Sequence, residues 1–287
     1  MKKVLITGRN GLLGKTLSEK VGNSDELLAL DRQSLDITNK SQVDQVVVSF
    51  RPDLIINSAA IARVDMCETE RELAWAVNAT GAGYLAEAAE AVGAEIMHIS
   101  TDYVFDGSSS TPYTIEDKPE PISAYGESKL DGEKAVMKAT DRHYIVRVAR
   151  LFGSGGSNFG SRIFDHISKA VESSSPMKVF GYPLSQATYL PDLADRLLKI
   201  AEEHNYGVYH TTNSGPIVGW VDFTKIAVQI MGITEPRIEQ VEYIDLGLPA
   251  LRPQYSGLRC LMAEKLSLSP LRDWREALEH LYKVWKT

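Results

Sequence analysis

Lys3-Val4-Leu5-Ile6-Thr7-Gly8-Arg9-Asn10-Gly11-Leu12-Leu13-Gly14 decides how this chain is read. A short apolar strand runs directly into Gly-x-x-Gly-x-x-Gly, and an amphipathic helix follows over 12–21. The first glycine suits a tight turn, the second lets backbone approach a phosphate, and the third lets the helix pack close to the strand. Free N–H groups at the helix start, reinforced by the helix dipole, then favour an anion such as a dinucleotide pyrophosphate. Glycine clusters also mark ordinary turns. The strand before and helix after give this one its meaning.

Outward from that loop, short apolar runs alternate with helical stretches. Strands are expected at 27–30, 53–57, 95–100 and 144–148, and helices at 41–50, 71–92 and 124–138. Buried strands separated by amphipathic helices indicate a parallel sheet covered on both faces, an α/β, Rossmann-type doubly wound domain. Its ligands belong at the carboxyl ends of the strands. After Arg150 the rhythm loosens into Gly153-Ser154-Gly155-Gly156-Ser157, with helices expected at 159–172, 191–203, 220–231 and 272–285. This predicts a dinucleotide-binding domain of residues 1–149 plus about 186–212, and a smaller C-terminal substrate lobe of about 150–185 plus 213–287.

Bulk properties narrow the class. The 287 residues are 44% hydrophobic and 24% charged, an ordinary globular composition. A net charge of −7 with no basic block argues against nucleic acid or an anionic membrane as partner. The apolar runs are too short to span a bilayer, and the four strand residues after Met1-Lys2-Lys3 are too few for a signal-peptide core, so a cytoplasmic protein is expected. Cys67 and Cys260 lie far apart without metal-ligand spacing and read as reduced thiols; no metal is expected.

Within the first half, Asp31 ends the second strand 17 residues after Gly14, where a carboxylate accepts from an adenosine ribose. Arg32 beside it and Arg9 in the glycine loop suit a 2′-phosphate, although Arg32 reads equally well as a solvated surface residue. Leu35-Asp36-Ile37 follows near the expected adenine position. The cofactor expected is NADPH or NADH, with the arginines favouring NADPH. Tyr125 and Lys129, four residues apart on a helix, share one face. An ammonium near a phenol favours the phenolate, so Lys129 is expected to lower the Tyr125 pKa. Tyr282-Lys283-Val284-Trp285-Lys286 repeats the spacing but lies far from the glycine loop, a decoy. Thr101 stands where the fourth strand ends and can hold a substrate carbonyl while the phenol donates its proton.

These motifs together resemble the extended short-chain dehydrogenase/reductases, and among them the dTDP-4-dehydrorhamnose reductases. The resemblance covers nearly the whole chain. It runs through Thr7-Gly8 to Gly14, Leu35-Asp36-Ile37-Thr38, Arg51-Pro52-Asp53, Asn57-Ser58-Ala59-Ala60, Val64-Asp65 with Cys67-Glu68, and Val77-Asn78-Ala79. Its most specific parts are Ser100-Thr101-Asp102-Tyr103-Val104-Phe105-Asp106-Gly107 and Tyr125-Gly126-Glu127-Ser128-Lys129-Leu130 with Gly132-Glu133, and Arg252-Pro253 with Ser256 and Leu258 fits near the end. It implies Thr101, Tyr125 and Lys129 as the catalytic set, reducing a 4-keto sugar nucleotide with a nicotinamide cofactor. Gly8, Arg9, Asn10, Gly11, Leu12, Leu13, Asp31, Arg32, Asp36, Ile37, Ala59, Ala60, Ile61, Ala62, Asn78 and Ser100 would surround that cofactor, together with Tyr125 and Lys129. Asn78 reads equally well as an interior amide bonded to a neighbouring loop. Val64, Thr101, Asp102, Tyr103, Arg150, Gln186, Trp220 and Arg252 would face the substrate.

The chain departs from the family in places. Related nucleotide-sugar 4,6-dehydratases carry Asp-Glu after the threonine; here Asp102-Tyr103 lacks the second carboxylate, which favours reduction over elimination. Where the family has Arg-Thr-Ser-Trp, this chain has Arg147-Val148-Ala149-Arg150, so an aromatic platform becomes a guanidinium. Arg150 is expected either to meet an anionic part of the substrate or to pair internally, for example with Asp106. Tyr182-Pro183-Leu184-Ser185-Gln186-Ala187-Thr188 and Leu251 also differ from the pattern, and Thr16 stands about where some relatives have an acidic metal ligand. Two other functions share these motifs: a non-catalytic NADP-binding regulatory subunit and a nucleotide-sugar epimerase. A homodimer is left open.

Overall fold

A computed structural model describes residues 2–22, 25–233, 237–243 and 247–287. The chain opens with β1 (Lys3–Thr7), α1 (Leu12–Lys20), β2 (Glu26–Leu30), α2 (Lys40–Phe50) and β3 (Leu54–Asn57). Next come α3 (Val64–Thr69), α4 (Arg71–Trp75), α5 (Ala82–Val92), β4 (Glu95–Thr101), α6 (Ala124–Ala139) and β5 (His143–Val148). The second half holds β6 (Leu151–Phe152), α7 (Ile163–Ser173), β7 (Met177–Phe180), β8 (Thr188–Tyr189), α8 (Leu190–Glu202) and β9 (Gly207–Thr211). It ends with α9 (Trp220–Met231), β10 (Ile238–Val241), α10 (Leu261–Lys265) and α11 (Trp274–Trp285).

The main sheet has six strands in the order β2-β1-β3-β4-β5-β9, each neighbouring pair parallel. From β1 the chain winds first to one side, through β2, and then returns to the other, through β3 and β4. That reversal opens a crevice at the carboxyl ends of β1 and β3. Alternate residues along β1 serve opposite faces. Val4 and Ile6 pack with Leu13 and Leu17 of α1 and Leu193 and Leu197 of α8, while Leu5 packs with Val43 and Val47 of α2 and Leu85 of α5. All are buried. Each such side chain contributes roughly 1.5–3 kcal/mol of hydrophobic stabilisation, which is why a strand covered on both faces reads as a continuous apolar run.

A separate core joins Phe152, Phe164, Ile167, Phe223, Trp274 and Leu278, drawn from β6, α7, α9 and α11. Beside it lie two-stranded parallel pairs, β7 with β10 and β6 with β8. β9 follows this excursion back and hydrogen-bonds to β5 on the main sheet. Among the described residues, no helix is long and apolar enough to cross a membrane.

Three boundaries differ from the sequence reading. The stretch expected as one α-helix over 71–92 is interrupted by a π-helical segment, Ala76–Gly81, which adds a residue to the turn. Alanine-rich periodicity carries no signal for that. The helix expected from 159 begins at Ile163, because Asn158 ties residues 158–161 into a turn, its Oδ1 accepting from the Ser161 N–H. The last helix starts at Trp274 rather than 272, where Asp273 caps it by accepting from the Arg275 N–H.

Candidate active site

At the end of β1 the backbone turns at Gly8 in a left-handed conformation, φ 73°. The Gly11 N–H donates back to the Gly8 carbonyl at 2.8 Å, and a Cβ at Gly14 would lie 2.2 Å from that same oxygen. Only glycine lets α1 start this close to the loop. No side chain caps the N-terminus of α1, so its first N–H groups are free to meet an anion. Beside the loop lies a cavity of about 640 Å³ lined by Gly8, Asn10, Gly11, Asp31, Arg32, Asp36, Ile37, Ala59, Ala60 and Ile61. Gln33, Leu35, Ser58 and Val77 complete its wall. Of these, Gln33 was not singled out from sequence, and Ser58 and Val77 entered only within the family motifs, not as expected cofactor contacts. Arg9, Leu12, Leu13 and Ala62 are not part of the lining.

Asp31 stands at the rim of this cavity. It accepts from the Asn10 side-chain amide at 2.9 Å and from the Ser34 N–H and hydroxyl at 3.0 and 2.9 Å. Those donors hold its carboxyl below the usual aspartate range, so it is an ionised acceptor for ribose hydroxyls. Arg32 lies exposed on the same wall, while the Asp36 carboxylate is taken up by the Thr38 N–H and hydroxyl. A free helix start, an acidic rim and a guanidinium fit an adenine dinucleotide.

Asn78 sits in the π segment and clamps the loop after β3. Its Oδ1 accepts from the Ile61 N–H at 2.8 Å, and its Nδ2 donates to the Ile61 carbonyl and to Ser128 Oγ. The amide is therefore fully engaged with protein and shapes the Ala60–Ile61 wall rather than reaching into it. Ser100 is likewise occupied. Its hydroxyl donates to Glu133, which also receives the Arg147 guanidinium at 2.7 and 2.9 Å, all of it buried.

The catalytic candidates meet where β4 ends. Ser123 caps α6, accepting from the Gly126 N–H, and a Cβ at Gly126 would lie 2.1 Å from the Tyr103 carbonyl. The helix start is thereby pressed against residues 101–103. Burial raises the Tyr125 phenol above its ordinary value, and the nearby Thr101 side chain pulls the other way. The Thr101 hydroxyl donates a hydrogen bond to Asp102 Oδ1 at 3.0 Å, and Ser256 donates to the other oxygen of that carboxylate. Tyr103 packs edge-on against Tyr125, ring centroids 5.8 Å apart.

In the free protein burial pushes the Tyr125 phenol above its ordinary value. The Lys129 amine lies against His98 Nε2 at 3.2 Å and donates to the Ile99 carbonyl at 2.7 Å. It is 2% exposed, and burial pulls it down to about 8. Tyr125 thus stands as a protonated phenol, the form a proton donor needs.

On the substrate side, Arg150 occupies a left-handed backbone position, φ 42°, uncommon for a residue with a side chain. Its guanidinium stacks on Trp220, 4.3 Å from the ring centroid, and donates through Nη2 to the Pro183 carbonyl. Nη1 is buried without a hydrogen-bond partner. Asp102, Tyr103 and Tyr243 surround it electrostatically, and burial lowers it only to about 10, so it stays cationic. The internal pair with Asp106 does not form, because that carboxylate accepts from the Tyr113 hydroxyl at 2.6 Å and from the Ser108 N–H.

Gln186 and Arg252 have protein partners. The Gln186 amide exchanges two hydrogen bonds with the Leu258 backbone, at 2.9 and 3.0 Å. Arg252 forks onto Asp65, Nη1 at 2.9 Å from Oδ1, and stacks on Tyr243. That pair ties α3, which begins at half-buried Val64, to the C-terminal segment across the crevice.

With this geometry in hand, comparison with known proteins is direct. Residues 1–286 match the RmlD substrate binding domain. The chain is 37% identical over 281 residues to a dTDP-4-dehydrorhamnose reductase of Streptomyces griseus, covering 96% of this chain and 91% of that protein. The crystal structure of a dTDP-4-dehydrorhamnose reductase from Clostridium acetobutylicum has a TM-score of 0.93 at 38% identity, covering 99% of this chain and all (100%) of that one. A dTDP-4-dehydrorhamnose reductase from Bacillus anthracis, solved in complex with NADP, gives a TM-score of 0.92 at 35% identity, with 98% of each chain covered.

Proposed function

This chain belongs to the RmlD substrate binding domain family, and we propose that it reduces the keto group of dTDP-4-dehydrorhamnose to give dTDP-L-rhamnose, with NADPH or NADH. It is an NAD(P)H-dependent oxidoreductase of the Rossmann type. The observation that carries the reading is that Thr101 and Tyr125 come together at the carboxyl end of β4, in a fold whose glycine loop leaves a helix start uncapped. When bound, the dihydronicotinamide supplies hydride. Everything else falls to the side chains.

Tyr125 is the general acid. Its enclosure keeps the phenol protonated until a carbonyl oxygen begins to gain charge, when it can give up that proton. Thr101 orients the phenol and adds a second polar contact at the same oxygen, itself held by Asp102. Asp31 receives the adenosine ribose, and Arg32, with Arg9, recognises a 2′-phosphate, which makes NADPH the preferred donor. Arg150 offers its unpartnered Nη1 to an oxygen or anion of the substrate, with Trp220 backing the guanidinium. Residues 1–149 with about 186–212 form the cofactor part and the remainder the substrate lobe, in a cytoplasmic enzyme.

The test is turnover. The protein, dTDP-4-dehydrorhamnose and NADPH should give dTDP-rhamnose and oxidised cofactor in equal amounts. Tight NADP binding with no turnover across a panel of 4-keto sugar nucleotides would instead make the chain a regulatory subunit. Interconversion of sugar nucleotides without added reductant would make it an epimerase.

A further inference from the structure

The start of α6 is held from outside its own helix. Ser123 caps it, and the third residue after that cap, where a helix start often carries a reaching glutamate, is Gly126. No larger residue fits there, because a Cβ would lie 2.1 Å from the Tyr103 carbonyl oxygen and 2.9 Å from Pro121. Glu127, in the same turn, is taken up by Arg71 at 2.8 Å. A carboxylate arrives instead from α3. Glu68 Oε1 accepts from the Ala124 N–H at 2.8 Å, one residue before Tyr125. Its other oxygen lies 3.4 Å from the same Arg71 guanidinium, so the two glutamates share one arginine. Beside Glu68, buried Cys67 packs in one cluster with Ala124 and Tyr125. Farther along α6, Trp75 of α4 donates to Asp131 at 3.0 Å.

We propose that Glu68 is a positioning residue for Tyr125: through the Ala124 N–H it fixes the first turn of the catalytic helix against residues 101–103. The role in turnover rests on the reductase reading. A carboxylate on an orphan N–H of a helix start makes a charge-assisted hydrogen bond and meets the positive end of the helix dipole. Glu68 does not line the cofactor cavity, so what it supplies is geometry. The phenol gives up its proton only within hydrogen-bond reach of the carbonyl oxygen, and a misplacement of about 1 Å can cost about 100-fold. Without Glu68, the Ser123 cap and the Trp75–Asp131 contact still hold α6, so the helix persists while its first turn loosens. The same short α3 reaches the C-terminal segment through Asp65 and Arg252. One element thereby sets both the catalytic turn and the opposite wall of the crevice.

Three variants separate the hydrogen bond from the charge. Glu68→Ala removes the acceptor, Glu68→Gln keeps an acceptor oxygen without the charge, and Arg71→Gln breaks only the outer ion pairs. With dTDP-4-dehydrorhamnose and NADPH, Glu68→Ala should lower kcat about 10- to 100-fold while NADPH affinity stays within about twofold. Glu68→Gln and Arg71→Gln should both stay within about threefold of the unaltered protein. A fully active alanine variant overturns the proposal, as does a glutamine variant no better than alanine, or a loss of NADPH affinity that matches the loss of kcat. A second readout needs neither cofactor nor substrate. In ¹⁵N-alanine spectra, with Ala124 assigned from the signal lost in Ala124→Gly, the Ala124 amide should exchange at least about tenfold faster in Glu68→Ala than in Glu68→Gln or the unaltered protein. Equal exchange in all three overturns the proposal. Should Glu68→Ala not fold, Glu68→Asp, which keeps the charge but falls short of the Ala124 N–H, takes its place with the same expected losses. An unaltered protein that reduces no sugar nucleotide would sink the reductase reading and leave the amide exchange unchanged, so the two fail separately.

Discussion

Replacing Asp102 by asparagine should make the protein more stable at neutral pH and less active. The carboxyl is 4% exposed, and burial raises it from the ordinary 3.8 to about 6 against the pull of Ser256, Thr101 and Arg150. Between those two values the folded protein binds a proton that the unfolded chain releases. The contribution of Asp102 to stability is therefore full below about pH 4 and is lost as pH rises through about 6. A rise of about two units corresponds to about 3 kcal/mol by pH 7. Asparagine carries no charge and removes this penalty, but it also deprives the buried Arg150 of an opposite charge. A net gain of about 1–3 kcal/mol is expected near pH 7, shrinking towards zero near pH 4. Urea unfolding of both proteins between pH 4 and 7.5 measures it, the pH dependence common to both cancelling in the difference. Turnover should fall, because an amide offers one acceptor where Thr101 and Ser256 now use two oxygens. A stability difference that stays flat with pH would refute the argument, since Asp102 would then not titrate in that window.

Tyr125→Phe should leave dinucleotide binding nearly intact and reduce turnover by about 10²–10⁴-fold in steady-state assays, whereas Tyr282→Phe, whose ring stacks on Trp285, should be kinetically silent. Arg32→Ala, alone or with Arg9→Ala, should weaken NADPH far more than NADH in calorimetry, because only NADPH carries the 2′-phosphate; equal losses would make the arginines structural. Arg150→Met should raise the Michaelis constant for the sugar nucleotide about tenfold or more with a smaller change in turnover number, and an unchanged constant would remove Arg150 from the substrate site.

The main sheet was legible because each of its inner strands is a short apolar run bounded by helix or turn, the pattern that coverage on both faces imposes. The glycine loop was legible for a similar reason: Gly14 is dictated by a contact no other residue allows. What escaped the sequence depends on contacts between residues far apart in it. The π segment is invisible in an alanine-rich helix and becomes explicable only once Asn78 is seen bonded to Ile61. The four-residue spacing of Tyr125 and Lys129 placed both on one side of α6 but could not say what the amine meets there.

Strand alternation supplies part of that missing information. Ile96, His98 and Ser100 occupy alternate positions of β4, and the last two meet Lys129 and Glu133 of α6. Thr101 has the opposite parity and, as the final residue of the strand, is left at the open edge with Tyr125. One strand thus delivers two kinds of polar residue: a buried set under the helix and a single hydroxyl at the crevice. His98, Lys129, Glu133 and Arg147 are all nearly inaccessible, an arrangement that costs stability unless every member is paired. The Arg147–Glu133 pair satisfies its charges internally. Lys129, beside His98, donates to the Ile99 carbonyl, so the polar set under the helix finds its partners within the protein while the Thr101 hydroxyl and the Tyr125 phenol are left to the crevice.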